Sequence, residues 1–139
     1  MNYTPKFFCL EEFVSQDIFK NYYNIAWSLL DDRILYTIDK LRIFFNKKII
    51  INNWKWGGSF QNRGLRMFDS SVGAKYSQHK FGRAIDFDVD GLNANEVREY
   101  ILKRTDIFEY ITAMEININW VHIDCRYLYN EERIKLFNQ

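Results

Sequence analysis

All six glycines of this chain fall between Gly57 and Gly91, and that confinement limits what the remainder can be. Glycine lets a backbone turn sharply or approach another backbone closely. The central third is therefore expected to be loops gathered around a site, with regular elements on either side carrying the core.

Upstream of the glycines, Leu30, Ile34, Ile38, Leu41 and Phe45 recur at three- and four-residue intervals. This spacing predicts a helix over about 25–46 with one buried stripe. Phe13, Val14, Ile18 and Tyr22, preceded by Glu11 and Glu12, predict a shorter helix over 11–23. Lys47 and Lys48 close the long helix, and Ile49, Ile50 and Ile51 form a β-branched run that reads as a short buried strand.

Further along, Ile85, Phe87 and Val89 alternate with Ala84, Asp86 and Asp88. A period of two is a strand, and it turns Asp86 and Asp88 away from the core. Asn93 is placed to cap a helix over 94–104. Two more strands are expected over 108–114 and 120–125, paired through 115–119, with Trp120, His122 and Asp124 sharing one face of the second. The tail over 130–137 reads as a last helix. The class implied is α+β, with a small antiparallel sheet carrying the site, packed against N-terminal helices and one covering helix. A helical part (1–48), a core (49–126) and a tail (127–139) make up one domain.

At 139 residues and 47% hydrophobic, the chain has enough apolar surface to bury a single core. Its net charge of +1 gives no electrostatic pull toward nucleic acid or an anionic membrane. No stretch approaches the roughly 18 apolar residues of a membrane span, and the opening residues lack a signal peptide, so a monomer made in the cytoplasm is expected. Cys9 and Cys125 have no C-x-x-C spacing and read as reduced, buried thiols.

The chain has only two histidines, His79 and His122. A catalytic zinc takes three protein ligands from His, Asp or Glu and keeps a fourth position open. His79 in a loop, Asp86 on the polar face of one strand and His122 on the polar face of a neighbour would supply that set. Gly82 allows the turn between the first two.

The pattern Ser77-x-His79-x-x-Gly82-x-Ala84-x-Asp86, followed by Trp120-x-His122, resembles the zinc peptidases of family M15. That family includes D-Ala-D-Ala carboxypeptidases and phage endolysin peptidases cutting L-Ala–D-Glu bonds, and the hedgehog signalling domain shares its metal-site fold. The likeness covers roughly 50–126, and the stretch from Gly57 to Arg66 is similar to small phage and prophage members. It implies His79, Asp86 and His122 as zinc ligands, and a peptidoglycan peptide as substrate. It also implies an enzyme that reaches the cell wall after holin-type release or within a virion.

The resemblance further implies a glutamate as general base shortly before the second histidine. In many members it stands three residues before, where this chain has Asn119; Glu115, seven before His122, is the nearest candidate, with Asp88 and Asp124 as fallbacks. In that scheme an ion would acidify a water and polarise the scissile carbonyl, while Glu115 carries the proton to the leaving amine. Arg63 or Arg66 would bind a substrate carboxylate or the oxyanion. Ser77 would touch substrate or fix its own loop by bonding the backbone, Trp120 would touch substrate, Asp124 would orient a ligand or pair with Arg83 or Arg126, and Lys80 and Arg83 are expected to be solvated. Asn119 also leaves open a metal-binding domain without turnover, or an α+β domain whose histidines are structural.

Overall fold

The computed structural model describes residues 3–130 and 132–139. The chain is α+β, and its described residues form three α-helices and a five-stranded sheet. The 11–23 helix divides into a 3-10 turn, Leu10–Glu12, and α1, Gln16–Tyr22, which Ser15 starts by accepting the Ile18 N–H at 3.2 Å. The long helix begins later than its apolar spacing predicts. Leu30 is extended, Asp31 accepts the Arg33 N–H at 3.0 Å as N-cap, and α2 runs Asp32–Phe45. Tyr23–Leu29 is a 3-10 turn instead. Leu30 is still core, at 6% exposure, which is why the buried spacing runs unbroken past the true helix start.

The strands are β1 (Ile49–Ile50), β2 (Ala84–Val89), β3 (Ala113–Glu115), β4 (Val121–Asp124) and β5 (Lys135–Phe137). They lie in the order β1-β2-β4-β3-β5. All pairs are antiparallel except β3 with β5, which is parallel. β5 corrects the predicted tail helix, of which Glu131 lies outside the described residues. Its backbone is claimed by the open edge of β3: Lys135 N–H donates to Thr112 O and Ile116 N–H to Phe137 O, both at 2.8 Å.

The alternation in β2 divides the sheet's two faces. Ile85, Phe87, Val121, Ile123 and Met114 are buried on one side, where α2 and α3 pack. α3 (Ala94–Lys103) carries a reciprocal cap, Glu96 N–H to Asn93 Oδ1 at 2.9 Å and Asn93 N–H to Glu96 Oε2 at 2.8 Å. The opposite face meets the stretch 51–83, whose regular elements are short 3-10 turns, Trp54–Trp56 and Gln78–Phe81.

Gly82 fixes that segment to the helical layer. It has φ +67°, its carbonyl accepts the Asp31 N–H at 2.9 Å, and a Cβ here would sit 1.9 Å from Leu29 O. Gly82→Ala is expected to cost at least about 2 kcal/mol, roughly 6–10 °C in Tm. A thermal melt within about 2 °C of wild type would contradict this packing.

Candidate metal centre

One rung of the sheet carries most of the site. Asp86 on β2 lies opposite His122 on β4, His122 lies opposite Glu115 on β3, and Glu115 lies opposite Phe137 on β5. Residues directly opposite share a face, so these side chains stand side by side on the polar face. His79 reaches the same point from the 3-10 turn over the sheet, which Ser77 starts by accepting the His79 N–H.

Three atoms converge. His79 Nε2 is 3.2 Å from Asp86 Oδ1 and 3.3 Å from His122 Nδ1, and His122 Nδ1 is 2.7 Å from Asp86 Oδ1. Ligands about 2.0–2.2 Å from a tetrahedral ion stand about 3.3–3.6 Å from one another. Two edges of the triangle, 3.2 and 3.3 Å, lie at the short end of that spacing, and the third is drawn in by a hydrogen bond. The cluster can hold a metal ion.

The other ring nitrogens select the tautomers that ligation needs. His79 Nδ1 is 2.8 Å from Gly64 O, and a carbonyl can only accept, so Nδ1 carries the hydrogen and Nε2 presents its lone pair. His122 Nε2 donates to Asp124 Oδ2 at 3.0 Å, leaving Nδ1 toward the cluster. Asp124 is fully buried and is itself held by Arg126, whose Nε donates at 2.8 Å. Asp86 Oδ2 faces Arg66 Nη2 at 3.2 Å.

Burial and these partners set the charges. Burial opposes a charge on His122, but the hydrogen bonds to Asp124 and Asp86 outweigh it and push its pKa up to about 9. Burial holds His79 below the ordinary imidazole value despite the attraction of Asp86. Burial also works against the Asp86 carboxylate, yet the two histidines keep it below the usual carboxylate range. Below its raised pKa, His122 holds a proton that competes with a metal at Nδ1. Zinc added near pH 7 is expected to release that proton, with affinity rising about tenfold per pH unit up to about pH 9. Calorimetric titrations from pH 6 to pH 9 would refute this if affinity were flat.

A cavity of about 290 Å³ opens over the cluster, lined among others by Arg66, Ser77, Gln78, Glu115, Trp120 and Phe137. Glu115 is 3% exposed and burial raises its pKa. Among the described residues, the buried side-chain atoms lacking a hydrogen-bond partner are Glu115 Oε1 and Gln78 Oε1, and both residues line this cavity. The fallback acids are occupied, Asp88 by Arg63 Nη1 at 2.6 Å and Asp124 by His122 and Arg126.

The arginines separate. Arg66 lines the cavity, with Nε also donating to Asn62 O at 2.7 Å, whereas Arg63 lies over the Phe60 ring, lines an adjoining cleft and is absent from the wall over the cluster. Trp120 lines both spaces, Trp54 is tied into the fold through its indole N–H to Val14 O at 2.8 Å, and Trp56 is exposed. Lys80 is not solvated as expected: it is 6% exposed and donates to the carbonyls of Phe68 and Ser70 at 3.3 and 3.0 Å.

Arg98 has no counterpart in the sequence reading, because nothing distinguishes it from other arginines on an amphipathic helix. It is 5% exposed and donates to Trp120 O and Ile118 O, both at 3.0 Å, and to Glu115 O at 3.5 Å. One guanidinium thus holds both ends of the β3–β4 turn that separates Glu115 from His122. Compared with family models, with curated proteins and with solved structures, the chain matches none of them.

Proposed function

We propose that the chain is a metal-dependent peptidase that uses zinc and hydrolyses peptide bonds of bacterial peptidoglycan. The observation that carries this reading is the rung Asp86–His122–Glu115 closed over by His79, with a buried carboxylate oxygen of Glu115 left unpaired beside the ligand cluster. The choice of peptidoglycan, and of a phage or prophage lysis enzyme reaching the wall by holin-type release or in a virion, rests on the resemblance of the Ser77–Asp86 motif to family M15.

His79, Asp86 and His122 would hold the ion, which would supply a Lewis acid for a carbonyl and for a water. Glu115 takes the proton of the attacking water and returns it to the leaving amine. Its raised pKa, caused by burial, brings it closer to a neutral working pH. Asp124 fixes the His122 ring, and Arg66 holds Asp86 while presenting its guanidinium to negative charge developing in the cavity. Ser77 and Trp120 form substrate-facing walls.

The competing reading is a metal-binding domain without turnover, favoured by Asn119 in place of a glutamate. Zinc-loaded protein should release new amino termini from purified peptidoglycan and stop doing so when a chelator removes the ion. No release from walls of any chemotype supports the binding domain.

Arg98→Met is expected to lower kcat/KM about tenfold to 100-fold by loosening the turn that places Glu115, since misplacement near 1 Å is costly. Zinc binding should persist because the ligands lie elsewhere. Equal losses of zinc binding and activity would show that Arg98 acts on the whole fold.

A further inference from the structure

We infer that Trp56 and the pocket beside it bind a sugar ring of the peptidoglycan glycan strand, at a saccharide site separate from the metal cluster. This rests on the peptidoglycan reading above and gives a place to the part of that polymer that a peptidase centre does not itself touch.

Trp54 and Trp56 stand on one 3-10 turn and are used in opposite ways. Trp54 is tied inward: its indole N–H donates to Val14 O, and its ring centroid lies 5.9 Å from that of Phe19. Trp56 is 63% exposed. A single exposed ring means little by itself, but this one is carried on a loop built to hold it. Asn53 closes residues 53–60 on themselves. Its carbonyl accepts the Trp56 and Gly58 N–H groups at 3.0 and 3.1 Å, its N–H donates to Phe60 O at 3.1 Å, and its Oδ1 accepts the Phe60 N–H at 2.9 Å. Gly58 is required by that closure, since a Cβ there would lie 2.1 Å from the Asn53 side chain. Lys55 Nζ, held by Glu11 Oε1 at 2.8 Å, stands 5.7 Å from the Trp56 ring centroid.

A pocket of about 420 Å³, in the range of small-molecule sites, lies against this indole with Glu12, Lys48 and Asn53 among its walls. Gly57 ends the turn there at φ +86°, and a Cβ on it would meet nothing within 4 Å, so the backbone beside the ring is open to a ligand. An aromatic ring beside a few polar groups suits a pyranose. The C–H face of the sugar packs on the indole, while the hydroxyl and acetamido groups at its edge reach donors and acceptors. Lys48, which makes no ion pair among the described residues, and the Asn53 amide supply N–H donors, and the Glu12 carboxylate supplies acceptors. One cation and one anion offset each other, so nothing in the pocket selects a charged ligand.

The pocket is also placed for a polymer that reaches the metal cluster. Phe60, bonded to Asn53, lines the cleft that shares Arg66, Asp86 and Trp120 with the cavity over the cluster. A stem peptide in that cleft and its glycan strand at Trp56 occupy neighbouring surfaces, so each contact raises the local concentration of the other.

Tetra-N-acetylchitotetraose, a soluble strand of N-acetylglucosamine, tests this when titrated into zinc-loaded protein while the indole N–H resonances of the four tryptophans are followed by heteronuclear NMR. The resonance missing from Trp56→Phe identifies Trp56. The expected result is a saturable shift of that resonance while that of Trp120 stays in place. Affinity should fall about tenfold or more in Trp56→Ala and about two- to tenfold in Lys48→Met. Both side chains are exposed, and melts within about 2 °C of wild type would separate these losses from unfolding. No shift at Trp56, or binding that Trp56→Ala leaves unchanged, overturns the inference, and the hydrolase reading then stands or falls on release of amino termini alone. A shift centred on Trp120, or a shift of Trp56 by a sugar-free stem peptide in place of the saccharide, overturns it equally. Saturable binding at Trp56 by protein that releases no amino termini upholds the saccharide site and overturns the hydrolase.

Discussion

Glu115→Gln is expected to lower kcat on peptidoglycan peptides by about 10²–10⁴ while leaving one zinc per chain in place. The substitution keeps the side chain's shape and removes only its ability to take a proton. The prediction is sharp because the other acids weighed for this role are engaged: Asp88 with Arg63, and Asp124 with His122 and Arg126. Steady-state kinetics with the zinc content measured on the same sample decides it. Activity within about tenfold of wild type would remove Glu115 from the mechanism, whatever the fate of the metal site.

Asp86→Asn has the second large effect, and it acts on two quantities at once. Asp86 is 6% exposed and faces His79, His122 and Arg66 together. Taking away its charge leaves Arg66 and protonated His122 without their shared partner, and breaking a buried pair costs about 3–5 kcal/mol. Zinc affinity should fall by more than about 100-fold, since losing even a group that only supports a ligand costs up to that much. A melt of the chelator-treated variant reads the first effect, and a competitive zinc titration reads the second. A variant that matches wild type in both would mean that Asp86 neither ligates nor neutralises its neighbours.

Much of this site was legible because it lies on a strand. The alternation of Ile85, Phe87 and Val89 with Asp86 fixes which face is polar, and the same logic aligns His122 and Asp124. The Asn93 cap was equally readable, since Glu96 completes it three residues later. The helix start at Asp31 was hidden because Leu30 is buried from an extended backbone, so burial spacing outlasts the helix. The tail misled for a different reason. Lys135–Phe137 is too short to express a period of its own, and its conformation is set by the vacant edge of β3. Lys80 and Arg98 are buried by carbonyls distant in sequence, from loops and a turn that leave no local signal.

The central claim is that His79, Asp86 and His122 form one metal site beside Glu115. Protein purified without a histidine tag, dialysed against zinc and assayed by elemental analysis, tests it most directly. Wild type should hold one zinc per chain and His122→Ala should hold none, with the variant's fold checked by circular dichroism. No stoichiometric zinc in wild type, or equal zinc in a folded His122→Ala protein, would contradict the account.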